Sequence, residues 1–281
     1  MVEHASAAIN EKGHLVFGGA DVVELAKTYG TPLYVYDVAM IRNRARGFKN
    51  TFERLGVKAQ VAYASKAFSS IAMLQLADQE GLSLDVVSAG ELYTAIKADF
   101  PRKKIHFHGN NKSEEELEMA LDYEIGCIVV DNFYELELLQ QLCKKKDKQV
   151  NVLLRVTPGV EAHTHDYILT GQEDSKFGFD LNSGQSEDAL KMALRSPYLN
   201  VLGLHCHIGS QIFETTGFKL AAKKLLTKMA EWKEKYQFQP EVLNLGGGFG
   251  IRYTSEDDPL EPSLYVEEII HEVKQQTELL H

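Results

Sequence analysis

Val61-Ala62-Tyr63-Ala64-Ser65-Lys66-Ala67-Phe68 is an apolar, β-prone run that stops at one lysine, and a helical pattern follows it through Ser70, Ile71, Met73, Leu74 and Ala77. A lysine at the C-terminal end of a buried strand is costly, because burial disfavours the ammonium form. The same burial lowers its pKa and yields a nucleophilic amine, which is what a Schiff-base lysine needs. The plain alternative is a lysine that lays its stem along apolar surface and keeps its head in water.

The stretch is one unit of an alternation. Seven apolar strand candidates, Gln60–Ala64, Ser83–Val87, Lys104–His108, Cys127–Val130, Val150–Val156, Val201–His207 and Glu241–Leu245, are each followed by a helical pattern or a loop leading to one. Those helices begin near Ser69, Ala89, Ser113, Asn132, Ser186, Thr215 and Ser263, and Ser113-Glu114-Glu115-Glu116 is a capping box. Short, doubly buried strands alternating with helices mean parallel β/α units. Such units build a doubly wound sheet or an eight-stranded barrel. Lys66, Asp85, His108, Arg155, His207 and the glycines from Gly246 all stand at or just past strand C-termini, which favours the barrel, where those ends meet at one mouth. The expected fold is therefore α/β: a (β/α)8 TIM-type barrel lacking its eighth strand, over residues 38–281. Residues 1–37 form an N-terminal segment. In it, Gly13 to Phe17 is β-like, Asp21 caps a helix ending at Gly30, and Leu33-Tyr34-Val35-Tyr36 is a second β run. A helix follows from about Val38 to Gly56.

The chain has 281 residues, 44% apolar and 25% charged, with a net charge of −10, which argues against a nucleic-acid binder. Its basic run, Lys144-Lys145-Lys146, closes a predicted helix, where it suits the dipole. Cys127, Cys143 and Cys206 have no C-x-x-C spacing and read as buried thiols in a reducing compartment. With no basic n-region ahead of an apolar run and no run of membrane-spanning length, a cytoplasmic, soluble protein is expected.

Gly246-Gly247-Gly248-Phe249-Gly250 follows the seventh strand, and consecutive glycines let backbone N–H groups converge on one anion. Neither a P-loop nor G-x-G-x-x-G fits, since no Gly-Lys-Ser/Thr follows and Ile251 stands where the third glycine belongs. A phosphate grip or a flexible turn remains. His205-Cys206-His207-Ile208-Gly209-Ser210 closes the sixth strand with two histidines two residues apart, which share a strand face. Taken alone they fit a metal pair, an imidazole stacked on a flat ring with Ser210 on its phosphate, or a bonded core histidine. A lysine, a flat-ring partner and a phosphate grip together suit pyridoxal phosphate, and no metal is expected, because a metal leaves Lys66 and the glycines unexplained.

Tyr63-Ala64-Ser65-Lys66, His106-Phe107-His108-Gly109-Asn110-Asn111-Lys112-Ser113, Gly171-Gln172-Glu173-Asp174-Ser175-Lys176-Phe177-Gly178, His205-Cys206-His207-Ile208-Gly209-Ser210-Gln211 and Asn244-Leu245-Gly246-Gly247-Gly248-Phe249-Gly250 resemble the diaminopimelate decarboxylase family. The likeness runs from about Gly13 to the last residues. It implies a pyridoxal 5'-phosphate (β/α)8 barrel with a C-terminal β domain that the N-terminal segment joins. Lys66 and His207 would be the catalytic pair, Lys66 bonding the cofactor and His207 stacking on its ring. Ser210, Gly246, Gly247 and Gly248 would hold the phosphate, and Asp85 and Arg155 would lie beside the cofactor. Ser175, Lys176 and Phe177 would shape the substrate entrance. The reaction implied is decarboxylation of diaminopimelate to L-lysine, by a homodimer, with a small amino acid as partner.

The family's Glu-Pro-Gly-Arg stretch is absent, since Glu261-Pro262 continues with Ser263-Leu264. The β domain with its cysteine and tyrosine is also absent. The chain is thus expected to be a truncated copy, with two unpaired sheet edges and no turnover of its own. The rival readings are a non-catalytic pyridoxal-phosphate-binding barrel, a related decarboxylase of arginine, ornithine or carboxynorspermidine, and a metal-dependent hydrolase using His205 and His207.

Overall fold

The structure, a computed structural model, describes residues 7–160 and 176–280. In chain order β1 (Ala7–Ile9), β2 (Leu15–Phe17) and β3 (Ala20–Asp21) form an antiparallel sheet, followed by α1 (Val22–Tyr29) and α2 (Val38–Arg54). Then come β4 (Ala62–Ala64), α3 (Ile71–Gln79), β5 (Ser83–Val86), α4 (Ala89–Lys97), β6 (Ile105–Phe107), α5 (Glu114–Tyr123), β7 (Cys127–Val130) and α6 (Phe133–Lys146). The last stretch holds β8 (Val150–Thr157), β9 (Phe179–Asp180), α7 (Gln185–Leu194), β10 (Leu199–His205), α8 (Thr216–Tyr236), β11 (Val242–Asn244) and α9 (Pro262–Leu279). All seven expected strands are present and parallel, in the order β11-β10-β8-β7-β6-β5-β4. They form the wall of a TIM-type barrel lacking a strand. Among the described residues none bridges β4 to β11.

Alternation along the strands divides the core in two. Ile128, Val130, Val152, Leu154 and Val156 face the helices and join the large outer cluster. Cys127, Val129 and Leu153, with Leu202 and Val242 against them, form a separate cluster inside the wall. Both faces are buried, which is why these strands read as continuous apolar runs.

One local device repeats at the start of three helices. Ser88, Ser113 and Asn132 cap α4, α5 and α6 by accepting the backbone N–H of Glu91, Glu116 and Glu135 respectively. Each glutamate then turns back to a backbone N–H ahead of its helix: Val87 for Glu91 (2.9 Å), the cap Ser113 for Glu116 (3.0 Å) and Asp131 for Glu135 (2.9 Å). The strand-to-helix corners are thus fixed by a serine or asparagine followed three residues later by glutamate.

One expectation for regular structure needs correction. Leu33–Tyr36 is not a strand: among the described residues no strand lies beside it, and Leu33, Tyr34 and Tyr36 are exposed. Its β-prone composition serves packing instead, with the Tyr36 ring stacked on Phe68 at 4.5 Å. The pair β9–β8 was unforeseen, since two residues are too short to show a period.

Below the wall, Glu80 at the end of α3 is clamped by α2. Arg42 and Arg46, one turn apart, both bind its carboxylate, and Lys49 Nζ donates to its carbonyl at 2.6 Å. The hydrogen bonds from Arg46 and Arg42 hold the Glu80 carboxyl at about 2, against 4.5 ordinarily. A carboxylate lowered in this way stabilises the fold above about pH 4.5 and loses that contribution as pH falls towards 2. Glu80→Gln should therefore flatten acid unfolding in that window, followed by circular dichroism. An unchanged acid transition would show that the clamp is inert.

Candidate active site

Above the apolar interior cluster, at the C-terminal ends of the strands, the inward positions turn polar. Asp131 continues the series Cys127, Val129, and Arg155 follows Leu153. The register sets Asp85 opposite both Ala64 and His106, and His205 opposite both Arg155 and Asn244. Asp85 Oδ1 lies 3.2 Å from His106 Nδ1 and 3.4 Å from His108 Nε2. Burial works to raise the Asp85 pKa, but the two imidazoles outweigh it and hold the carboxyl below the usual carboxylate range. The His108 ring meets His205 edge-on, with centroids 4.9 Å apart.

β10 ends at His205, so His207 belongs to the loop beyond it rather than to the same strand face. His205 is buried and its Nδ1 has no hydrogen-bond partner; His207 is half-buried. Burial, and then the charges of Arg155 and Lys66, hold the His207 imidazole down to about 4. It is neutral at neutral pH.

Lys66 sits in a short 3-10 turn, Ser65–Ala67, directly after β4. It is exposed, which corrects the expectation of a buried amine. β4 is an edge strand with β5 on one side only among the described residues, so Lys66 has cover from one side. Its neighbour Ser65 is fully buried, with its hydroxyl 2.6 Å from Glu91 Oε2 and 2.8 Å from the Asp85 carbonyl. That pins the turn from which Lys66 projects. Among the described residues the buried lysine is Lys112.

The glycine run is a built turn. A Cβ on Gly246, at φ +72°, would stand 2.6 Å from the Cys206 carbonyl oxygen. One on Gly248, at φ +95°, would stand 2.0 Å from that of Gly209. Either change needs the backbone to move. At Gly247 a Cβ would meet nothing within 4 Å. The Gly246 N–H is already held by Asn244 Oδ1 at 2.8 Å. The loop after β10 zips onto this run: Ile212 N–H donates to Gly248 at 2.9 Å, and Gly250 N–H to Ile212 at 2.8 Å. The Gln211 amide exchanges two bonds with Ile251. Ser210 is exposed, beside Gly248.

A family model for pyridoxal-dependent decarboxylases, pyridoxal binding domain, matches residues 38–281. The chain belongs to the pyridoxal-dependent decarboxylases. It is 70% identical over 276 residues to the diaminopimelate decarboxylase of Bacillus methanolicus, covering 98% of this chain and 64% of that protein. With that of Bacillus subtilis (strain 168) it shares 64% identity over 275 residues, covering 98% and 63%. The crystal structure of the M. jannaschii diaminopimelate decarboxylase in complex with L-lysine superposes with a TM-score of 0.89 at 37% identity, covering 99% of this chain and 64% of that one. The chain thus spans a little under two thirds of the length of these relatives.

The decarboxylase mouth fits a phosphorylated pyridine aldehyde. It offers a reachable amine, a neutral imidazole, open space over Gly247 and an orphaned buried imidazole nitrogen. Among the described residues, His205 and His207 do not belong to a close group of three metal-type ligands. Such a group is formed by His14, Asp21 and Glu24 in the N-terminal segment, where Asn10, His14 and the first turn of α1 already occupy Asp21.

Several contacts at the mouth went unforeseen. Asp131 Oδ1 lies 3.4 Å from Arg155 Nη1, and its Oδ2 accepts the Gly178 N–H at 3.0 Å. The Arg155 guanidinium sits 4.3 Å over the Phe177 ring, and Asn110 Nδ2 donates to the Lys176 carbonyl at 3.0 Å. Lys176 and Phe177 are therefore seated beside Arg155, while Ser175 lies outside the described residues. Strand parity was the signal for Asp131 and for His106, which alternate with the helix-facing Val130 and with Ile105 and Phe107. No local signal marked Lys112.

Proposed function

We propose that this chain is the pyridoxal 5'-phosphate-binding part of a diaminopimelate decarboxylase, releasing CO2 from meso-diaminopimelate to give L-lysine. The observation carrying this reading is the meeting of Lys66, His207 and the Gly246–Gly248 turn at one end of a parallel sheet, in a chain 70% identical to a diaminopimelate decarboxylase. Lys66 would hold the cofactor covalently, and the pinned Ser65 fixes where its stem begins. Gly247 and Gly248 would present N–H groups to the phosphate, with the Ser210 hydroxyl beside them; Gly246, whose N–H serves Asn244, shapes the turn. His207, neutral because it is half-buried near cations, would pack on the ring without adding charge. Asp85 and Arg155 would offer a carboxylate and a guanidinium to the cofactor and substrate. When bound, pyridoxal phosphate supplies the sink for the electron pair left by CO2. The three buried thiols suit a reducing cytoplasm, and full-length relatives of this kind would act as homodimers.

Residues 1–281 grafted in place of the matching part of the Bacillus subtilis relative should give an enzyme that decarboxylates diaminopimelate and not ornithine or arginine. A well-folded graft that prefers ornithine, or takes up no pyridoxal phosphate, overturns the reading.

His207→Ala should weaken cofactor retention about tenfold, the size expected for one lost ring contact of 1–1.5 kcal/mol. Retention is measured by equilibrium dialysis of pyridoxal phosphate, and chelators should change nothing. Stoichiometric zinc lost together with function would assign His207 to a metal instead.

A further inference from the structure

Two imidazoles converge on one oxygen of Asp85. His106 Nδ1 makes the shorter contact, at 3.2 Å to Oδ1, and His108 Nε2 stands 3.4 Å from the same atom. His108 is only 9% exposed, and its Nε2 is buried and too oblique for a formed hydrogen bond. A buried imidazole nitrogen without a partner is uncommon and calls for a reason. Its other neighbours give none: the ring meets His205 edge-on, and His205 Nδ1 is itself buried and unpartnered. The backbone fixes both histidines. β6 pairs His106 directly with Asp85, and His108 N–H donates to the Val86 carbonyl at 2.8 Å. Both side chains therefore start from backbone positions set beside the carboxylate.

We propose that His106 and His108 are positioning residues: they hold Asp85 by Oδ1 alone and so leave Oδ2 for the cation-bearing face of the bound ligand. In this arrangement His106 carries its proton on Nδ1 and His108 on Nε2, each as an N–H donor. His205 supports His108 from behind by its ring edge. The inference rests on the pyridoxal-phosphate reading for the ligand, but not for the geometry.

The test uses side chains that keep or remove the donor. Asn at position 106 places an amide N–H where Nδ1 was, and Gln at position 108 places one where Nε2 was; Phe keeps bulk without a donor. Titrating the chain with pyridoxal phosphate, followed by absorbance and quenching of intrinsic fluorescence, should show about tenfold weaker binding for His106→Phe and His108→Phe. His106→Asn and His108→Gln should stay within about twofold of the parent, the lost hydrogen bond being restored. In an Asp85→Asn background the Phe changes should add nothing, because residues acting through one carboxylate are not additive. Equal binding by the Phe and amide variants, or full additivity with Asp85→Asn, overturns the proposal. A second measurement needs no cofactor. Long-range 15N–1H spectra of the imidazoles should show His106 as the Nδ1–H and His108 as the Nε2–H tautomer, both altered in Asp85→Asn. Opposite tautomers, or indifference to Asp85, also overturn it. A folded parent that binds no pyridoxal phosphate defeats the functional reading, and the spectra then decide the positioning roles by themselves.

Discussion

Borohydride reduction in the presence of pyridoxal phosphate should leave a phosphopyridoxyl group on Lys66, and Lys66→Ala should abolish the label. The amine stands past the end of β4 in a turn fixed by the buried Ser65, and it is exposed, so the aldehyde can reach it. Lys112, although close to the same strand ends, cannot compete. Its side chain is 1% exposed and its ammonium already donates to the Gly109 and Val129 carbonyls and to Glu135. Peptide mapping by mass spectrometry separates the two sites. A label on another lysine, or none on folded protein, would falsify the assignment of Lys66.

The second large effect concerns stability. Lys112→Met should destabilise the chain by about 3–5 kcal/mol, since it strands the Glu135 carboxylate in the interior. That corresponds to a fall in Tm of roughly 10 °C or more for a chain of this size. Lys112 Nζ donates to three oxygens at 2.7–2.8 Å, and Glu135 passes the restraint on to the Asp131 N–H. Removing both charges, as in Lys112→Met with Glu135→Leu, should recover most of the loss, because the apolar pair has no desolvation cost. Thermal melts of the three variants decide the point. Equal melting of Lys112→Met and the parent would mean that water reaches Glu135.

The architecture was legible because doubly buried parallel strands leave unbroken apolar runs. Cys127–Val130 was read with its observed limits, and the other six strands with limits shifted by a residue or two. Helix starts were equally plain where a serine or asparagine precedes a glutamate by three, as at Ser113 and Asn132. The lysines were not legible. A strand-end lysine at position 66 and a loop lysine at position 112 look alike or reversed in one dimension, because burial depends on which neighbouring strand lies beside them. β4 is an edge and leaves Lys66 open; Lys112 lies under the corner between β6 and β7 and is enclosed. The polar layer was partly visible: Asp85, Arg155 and His207 follow from strand ends. The joining of His106 and His108 on one carboxylate oxygen needs the register between β5 and β6, which no spacing reveals.

The zipped loops after β10 and β11 bear on how such a protein can diversify. Ile212 pairs with Phe249 in parallel register, and Gln211 clasps Ile251 on both its donor and acceptor sides. An inserted residue in either loop would slip that register and pull Gly248 from its 2.9 Å contact with Ile212. A change of length in one loop alone therefore costs the contacts of the other, so the two loops behave as one unit whose lengths are tied to each other.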